Sequence, residues 1–278
     1  ICTFFIPRPV RVSRVAHRLT SSSRPQIIAH RGNWSSAPEN SASAIRAARA
    51  FDFVEIDVRL SADGVPVIMP DDTCIRTTGL DVRVADCTVA ELTSLTFPGT
   101  DEQVPSLARA LVAGGDDLLF DLDVKEASEL PAVARFMSTR PENDRCYLKM
   151  DVQQSEDIQP LIELQAREGI SVVAKHIVRD HDSIALAQEM KALGVIAAEV
   201  WFPDLDVLRA LVDTGLALTT YTLDEVHCAG LSDAQARKTP SAVWGVLGQA
   251  GIRGIMTDEP ALLSAYLQGV PQVSESTS

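Results

Sequence analysis

From Gln26 onward, short runs of apolar and β-branched residues alternate with longer stretches in which apolar positions recur every three to four residues. The runs fall at 27–31, 53–60, 118–125, 146–151, 171–177, 195–201, 216–222 and 254–258. Their near-continuous apolar character predicts parallel strands covered by helices. The stretches at 40–51, 106–113, 127–138, 156–167, 183–193, 204–213, 241–249 and 260–267 predict amphipathic helices, with Pro260 in the first turn of the last. Eight strand–helix alternations predict an α/β fold of the (β/α)8 TIM-barrel type, one domain spanning 26–270. An open doubly wound sheet shares this alternation, because a strand count does not establish closure. One stretch, 61–117, is longer than a crossover helix requires. As a βα insertion it is expected over the catalytic face, as part of the site.

Composition narrows the classes. With 46% hydrophobic residues and 5% aromatics, the core is built from Val, Leu, Ile and Ala, a globular and not a disordered composition. The net charge of −13 is unevenly spread: residues 1–25 carry Arg8, Arg11, Arg14, Arg18 and Arg24 and no acid. Setting those five aside leaves 20 cations against 38 acids, a surface unsuited to nucleic acid. The basic segment reads as a transit-like presequence, or else as a disordered tail or mis-assigned start, outside the fold. A tail is expected at 271–278. Five widely spaced cysteines without a Cys-x-x-Cys pair suggest a reducing, cytoplasmic setting. No apolar run reaches the length of a membrane span. Nothing in the residues specifies an oligomeric state.

In barrels, chemistry sits at the C-terminal ends of strands. The first run ends in His30-Arg31-Gly32, the second carries Glu55 and Asp57, and the third carries Asp121, Asp123 and Lys125. Side chains two apart on a strand share a face, so each set can point at one centre. Converging carboxylates repel unless a cation holds them, and oxygen ligands suit Mg²⁺ or Ca²⁺. Lys149 and Lys175 interrupt apolar runs; they either add charge for an anionic substrate, or snorkel to solvent or pair with Glu199. Trp201 and Tyr221 either wall the substrate site or fill the upper layer of the barrel.

The blocks Ile28-Ala29-His30-Arg31-Gly32, Pro38-Glu39-Asn40 and Val54-Glu55-Ile56-Asp57-Val58 resemble the opening of the glycerophosphodiester phosphodiesterase family. The likeness continues through Asp63-Gly64-Val65-Pro66-Val67, Arg76-Thr77-Thr78, Val104-Pro105-Ser106-Leu107, Asp123-Val124-Lys125, Tyr221-Thr222-Leu223-Asp224 and the stretch from Gly251 to Pro260. It implies a PLC-like phosphodiesterase barrel acting on a small-molecule phosphodiester. It also implies a metal pair in Glu55 and Asp57, with Asp123 where the family has Glu. Arg31 and Lys125 match cationic positions near the phosphate, His30 matches the first of two acid–base histidines, and Glu39 matches a carboxylate beside the site. Glu39-Asn40 equally suits a cap for the next helix.

One position departs from the pattern. The second histidine lies in a His-Asp pair ahead of the Arg-Thr-Thr block, and here that pair reads Pro70-Asp71. Three readings follow. Asp71, Asp72 or His176 replaces it; or the leaving group needs no acid; or the protein binds phosphodiesters with little or no turnover. A further class, an aldolase or isomerase with Lys125, Lys149 or Lys175 as Schiff base, has no use for three clustered carboxylates.

Overall fold

The structure is a computed structural model describing residues 13–269, so the expectations for residues 1–12 and for a tail at 271–278 fall outside the described residues. Its strands are β1 (Gln26–Ala29), β2 (Phe53–Leu60), β3 (Pro66–Ile68), β4 (Leu119–Val124), β5 (Cys146–Asp151), β6 (Ser171–Ile177), β7 (Ala197–Trp201), β8 (Ala217–Tyr221) and β9 (Gly254–Thr257). Each of the eight predicted runs overlaps one strand. The sheet order is β1-β9-β8-β7-β6-β5-β4-β2-β3, and β1 also pairs with β2. That last pairing, Ile28 opposite Phe53, closes eight parallel strands into a barrel and excludes the open sheet.

The strand alternation has a simple physical consequence. Outward residues such as Val54, Ile56, Phe120, Leu122 and Leu148 pack against helix residues such as Val133, Leu161 and Leu208 in the main core. Inward residues at the lower end, Ile28, Phe53, Leu119, Tyr147, Val173, Ala197, Ala217 and Met256, form a second apolar layer. Two positions further along most of these strands stand His30, Glu55, Asp121, Lys149, Lys175, Glu199 and Asp258. The barrel interior therefore changes from apolar to ionic as it nears the C-terminal mouth.

The basic segment requires a correction. Residues Arg14–Ser21 form a helix, α1, capped by Ser13, and Val15 and Leu19 plug the lower apolar layer. Arg18 and Arg24 lie 2.9 Å from the carboxylate of Asp52, which also accepts the backbone N–H of Ile27 at 3.0 Å. The sequence pattern hid this because a helix of about two turns cannot be told from a tail until its partner surface exists. Leu19 is fully buried, so Leu19→Ala should cost about 2–5 kcal/mol in urea unfolding. A cost below about 0.5 kcal/mol, the level of an exposed site, would mean that the plug carries no stability.

The 61–117 insertion adds β3, antiparallel to the end of β2, and a small core of Val67, Met69, Cys74, Val84, Leu92, Phe97 and Val104. The helix after β1 starts at Ala42 with Ser41 as its cap, so Glu39-Asn40 does not cap it. Asn40 instead adopts a left-handed φ of 59°. Gly32 turns the chain after β1 at φ 92°, where a Cβ would lie 2.8 Å from Ala44. This close approach leaves His30 and Arg31 at the mouth.

Candidate active site

A cleft of about 730 Å³ opens at the C-terminal mouth, lined among others by His30, Arg31, Glu39, Glu55, Asp123 and Lys125. One oxygen each of Glu55, Asp57 and Asp123 lies within 4.8 Å of the others. β2 and β4 run in register with Glu55 beside Asp121 and Asp57 beside Asp123, so two neighbouring strands deliver all four carboxylates. Asp57 is fully buried and heavily held. The Arg31 Nε lies 2.9 Å from its Oδ2, Asn40 Nδ2 donates to the same oxygen at 2.7 Å, and Lys125 ion-pairs with its Oδ1. Lys125 also reaches Asp123 Oδ2 at 2.7 Å. Arg31 donates its backbone N–H to Glu55 and its guanidinium to both oxygens of Glu39 at 3.1 Å.

Deeper in the barrel, Lys149 Nζ stands 3.2 Å from Asp121 Oδ2 and 3.3 Å from Glu199 Oε2. Lys175 Nζ stands 3.5 Å from Asp123 Oδ1. Both lysines and Tyr221 line the cleft, but Lys149 is a buried counter-ion and not a free cation. Pairing with Glu199 is thus realised for Lys149. Trp201 is not among the lining residues; its indole N–H donates to the His227 carbonyl at 3.2 Å, and its ring packs against the main core. The substrate-wall expectation for Trp201 is corrected accordingly.

His30 Nδ1 lies 2.8 Å from Asp258 Oδ1, and its Nε2 lies 3.9 Å from Glu55 Oε2. Burial acts to lower its pKa, but the Asp258 hydrogen bond and the Glu55 charge prevail and raise it above the ordinary value. Burial and the neighbouring Asp57 push Glu55 up to about 7. Burial pushes Asp121 up to about 8 against the pull of Lys149. For Asp57 the burial penalty is overcome by Lys125 and Arg31, which hold it below the usual carboxylate range. Buried oxygens of Asp57, Asp121 and Asp123 have ion-pair neighbours but no well-formed hydrogen bond. Burial is the main cause of the raised values at Glu55 and Asp121, and hard carboxylate donors at this spacing fit a hard cation.

The candidates around Pro70 resolve differently. Asp71 lines the cleft with its Oδ2 held 2.6 Å from Arg76 Nε, and Arg76 also reaches Glu39 at 2.7 Å. Asp72 is exposed and outside the cleft lining. His176 is buried with Nδ1 2.9 Å from the Val152 carbonyl and Nε2 2.8 Å from the Ser183 carbonyl, so it offers nothing to the cleft. Sequence reasoning missed Asp258 as the partner of His30 and Asn40 as the holder of Asp57. Asp258 was findable, since it stands two residues beyond inward-facing Met256. Asn40 was not, because its contact depends on a left-handed turn.

The molecule is thus a TIM barrel whose inward-facing ionic side chains gather at the C-terminal mouth. Within that class it belongs to the Glycerophosphoryl diester phosphodiesterase family, whose sequence model matches residues 30–262. Among relatives, Glycerophosphodiester phosphodiesterase 1 of Mus musculus is 35% identical over 144 residues, which span 47% of this chain and 43% of that protein. The Homo sapiens protein of the same name is 36% identical over 115 residues, 37% of this chain and 34% of that one. The chain therefore matches less than half the length of these relatives. Among solved structures, a glycerophosphoryl diester phosphodiesterase from Parabacteroides distasonis aligns with TM-score 0.70 at 20% identity, covering 96% of this chain and 95% of that one. A phosphodiesterase from Oleispira antarctica in complex with the product sn-glycerol-3-phosphate aligns with TM-score 0.67 at 21% identity, covering 88% and 97%. At such identities the likeness concerns the barrel alone. Among the described residues no helix is long and apolar enough to cross a membrane.

Proposed function

We propose that the chain hydrolyses a small glycerophosphodiester, or a related sugar phosphodiester, to a phosphomonoester and an alcohol with the help of one divalent cation, Mg²⁺ or Ca²⁺. The observation that carries this reading is the convergence of Glu55, Asp57 and Asp123 beside His30, in a chain of this family. These three residues would hold the cation, which when bound polarises phosphorus through a non-bridging oxygen. The remaining work falls to the protein's own side chains. Arg31 and Lys125 offset charge on the phosphoryl oxygens. Glu39 fixes the Arg31 guanidinium through both its oxygens. Asp258 accepts the Nδ1 proton of His30, which leaves Nε2 to take a proton from the attacking oxygen. Lys175 and Tyr221 complete the wall that receives the substrate, and beneath it Lys149 neutralises Asp121 and Glu199.

Asp71 is tied to Arg76 and Pro70 carries no proton, so in this reading His30 carries the acid–base work alone. A leaving group that needs no protonation should therefore be favoured. Bis(p-nitrophenyl) phosphate is expected to turn over at least about tenfold faster than glycerophosphocholine, the low end of what one missing acid costs. Purified protein is tested on both substrates with Mg²⁺, with Ca²⁺ and with chelator. The reading holds if turnover requires the cation and falls in Glu55→Ala. No turnover of either substrate above a His30→Ala, Glu55→Ala double variant would remove it. The same position favours one rival, a phosphodiester-binding protein without turnover; tight calorimetric binding beside null activity would select it.

A further inference from the structure

The loop after β8 carries a carboxylate that belongs to none of the family-like motifs. Asp233 is fully buried, and among the described residues it has no ion-pair partner. Its Oδ1 accepts the hydroxyls of Thr222 at 2.6 Å and Thr257 at 2.7 Å, and its Oδ2 accepts the backbone N–H of Asp258 at 2.8 Å. Thr222 directly follows β8 and Thr257 ends β9, so one side chain ties the ends of two barrel strands together directly behind the acid that orients His30. The Thr257 hydroxyl in turn accepts the Glu259 backbone N–H at 2.9 Å, and the His30 backbone N–H donates to the Thr257 carbonyl at 3.1 Å. The loop itself is pinned by Arg237, which pairs with Asp224 at 2.5 Å and with Glu259 at 2.7 Å.

A buried carboxylate without a cation is a costly way to join two strands, since paired apolar side chains would do it without desolvating a charge. What the carboxylate supplies is direction: three donors converge on it and define the backbone turn 257–259 from which Asp258 projects. We propose that Asp233 is a positioning residue for the reaction, setting Asp258 and through it the Nδ1–H contact of His30. The inference rests on the reading that His30 Nε2 carries the reacting proton. Asp233 touches neither substrate nor cation; it acts through Thr257 and Asp258.

The test is a double-variant cycle with glycerophosphocholine and Mg²⁺. Asp233→Ala is expected to lower kcat by about 10- to 100-fold with KM changed little, as for a misplaced catalytic group. In a His30→Ala background the same change should alter the residual rate by no more than about twofold, because the group it positions is gone. Asp233→Asn presents an oxygen to the Asp258 N–H and an amide that the two threonine hydroxyls can accept, so it should restore most of the rate. Should Asp233→Ala not fold, Thr257→Val, which removes one converging donor, takes its place with the same expected pattern. A mere strand staple predicts otherwise: equal losses with and without His30, and that result overturns the proposal. A second readout does not depend on turnover. The Nδ1–H proton resonance of His30, shielded by Asp258, should be present in the wild type and in Asp233→Asn and lost to solvent exchange in Asp233→Ala. Its persistence in Asp233→Ala overturns the positioning role, whereas its loss in a protein without activity upholds that role while the hydrolase reading fails.

Discussion

Replacing His30 by alanine is expected to lower kcat on glycerophosphocholine by about 10²–10⁴ while leaving the fold nearly untouched. The reasoning is geometric. The imidazole lines an open cleft and is not part of the core, and its one strong contact is the 2.8 Å bond from Nδ1 to Asp258. Removing it therefore deletes a proton carrier without opening a cavity among packed side chains. Thermal unfolding should shift by no more than the few degrees that about 1 kcal/mol produces in a chain of this size. Steady-state kinetics at saturating cation checks the first part, and calorimetric melting checks the second. A His30→Ala rate within about threefold of wild type, well under the smallest loss expected for an acid–base group, would transfer the catalysis to the cation and the arginine alone.

The largest stability effect should come from Lys149. Its side chain is 3% exposed, and it neutralises Asp121, itself fully buried, together with Glu199. Lys149→Ala leaves two carboxylates facing each other in the barrel without their counter-ion. Orphaning a buried pair in this way costs about 3–5 kcal/mol, which lowers Tm by on the order of 10 °C for a chain of this length. The penalty should depend on pH with a definite sign. Burial already pushes Asp121 up to about 8, above the ordinary carboxylate value, so the folded protein binds that proton more tightly than the unfolded chain. Stability from this group is therefore present at low pH and lost as pH rises toward 8. Lys149→Ala should be damaged less at pH 5 than at pH 8, because the orphaned carboxyls can go neutral. Urea unfolding at both pH values measures the difference. Adding Asp121→Asn and Glu199→Gln to Lys149→Met should recover much of the loss. A Lys149→Ala protein that melts with the wild type at pH 8 would show that water, and not this lysine, solvates the acids.

These two residues also separate what can be read along a chain from what cannot. The alternation Phe53, Glu55, Asp57 on one strand and Leu119, Asp121, Asp123 on another places four acids on one face of each strand from sequence alone, because strand geometry repeats every two residues. The same rule marked Lys149 and Lys175 as anomalies. It could not say that Lys149 would be swallowed by Asp121 and Glu199 while His30, at a similar height, would keep an open side. Nor could it distinguish Tyr221, which lines the cleft, from Trp201, which turns aside to the His227 carbonyl.

The order of elements, the inward parity of the ionic residues and the family to which they belong were determined by the sequence alone, since each follows from local backbone periodicity or from contiguous motifs. Closure of the first strand on the last through Ile28 and Met256, the plug formed by Val15 and Leu19, and the contact of His30 with Asp258 across the chain were decided only by the tertiary structure. The physical reason is that periodicity sets which way a side chain points, whereas its partner is whatever barrel closure brings opposite, and closure joins residues separated by nearly the whole chain.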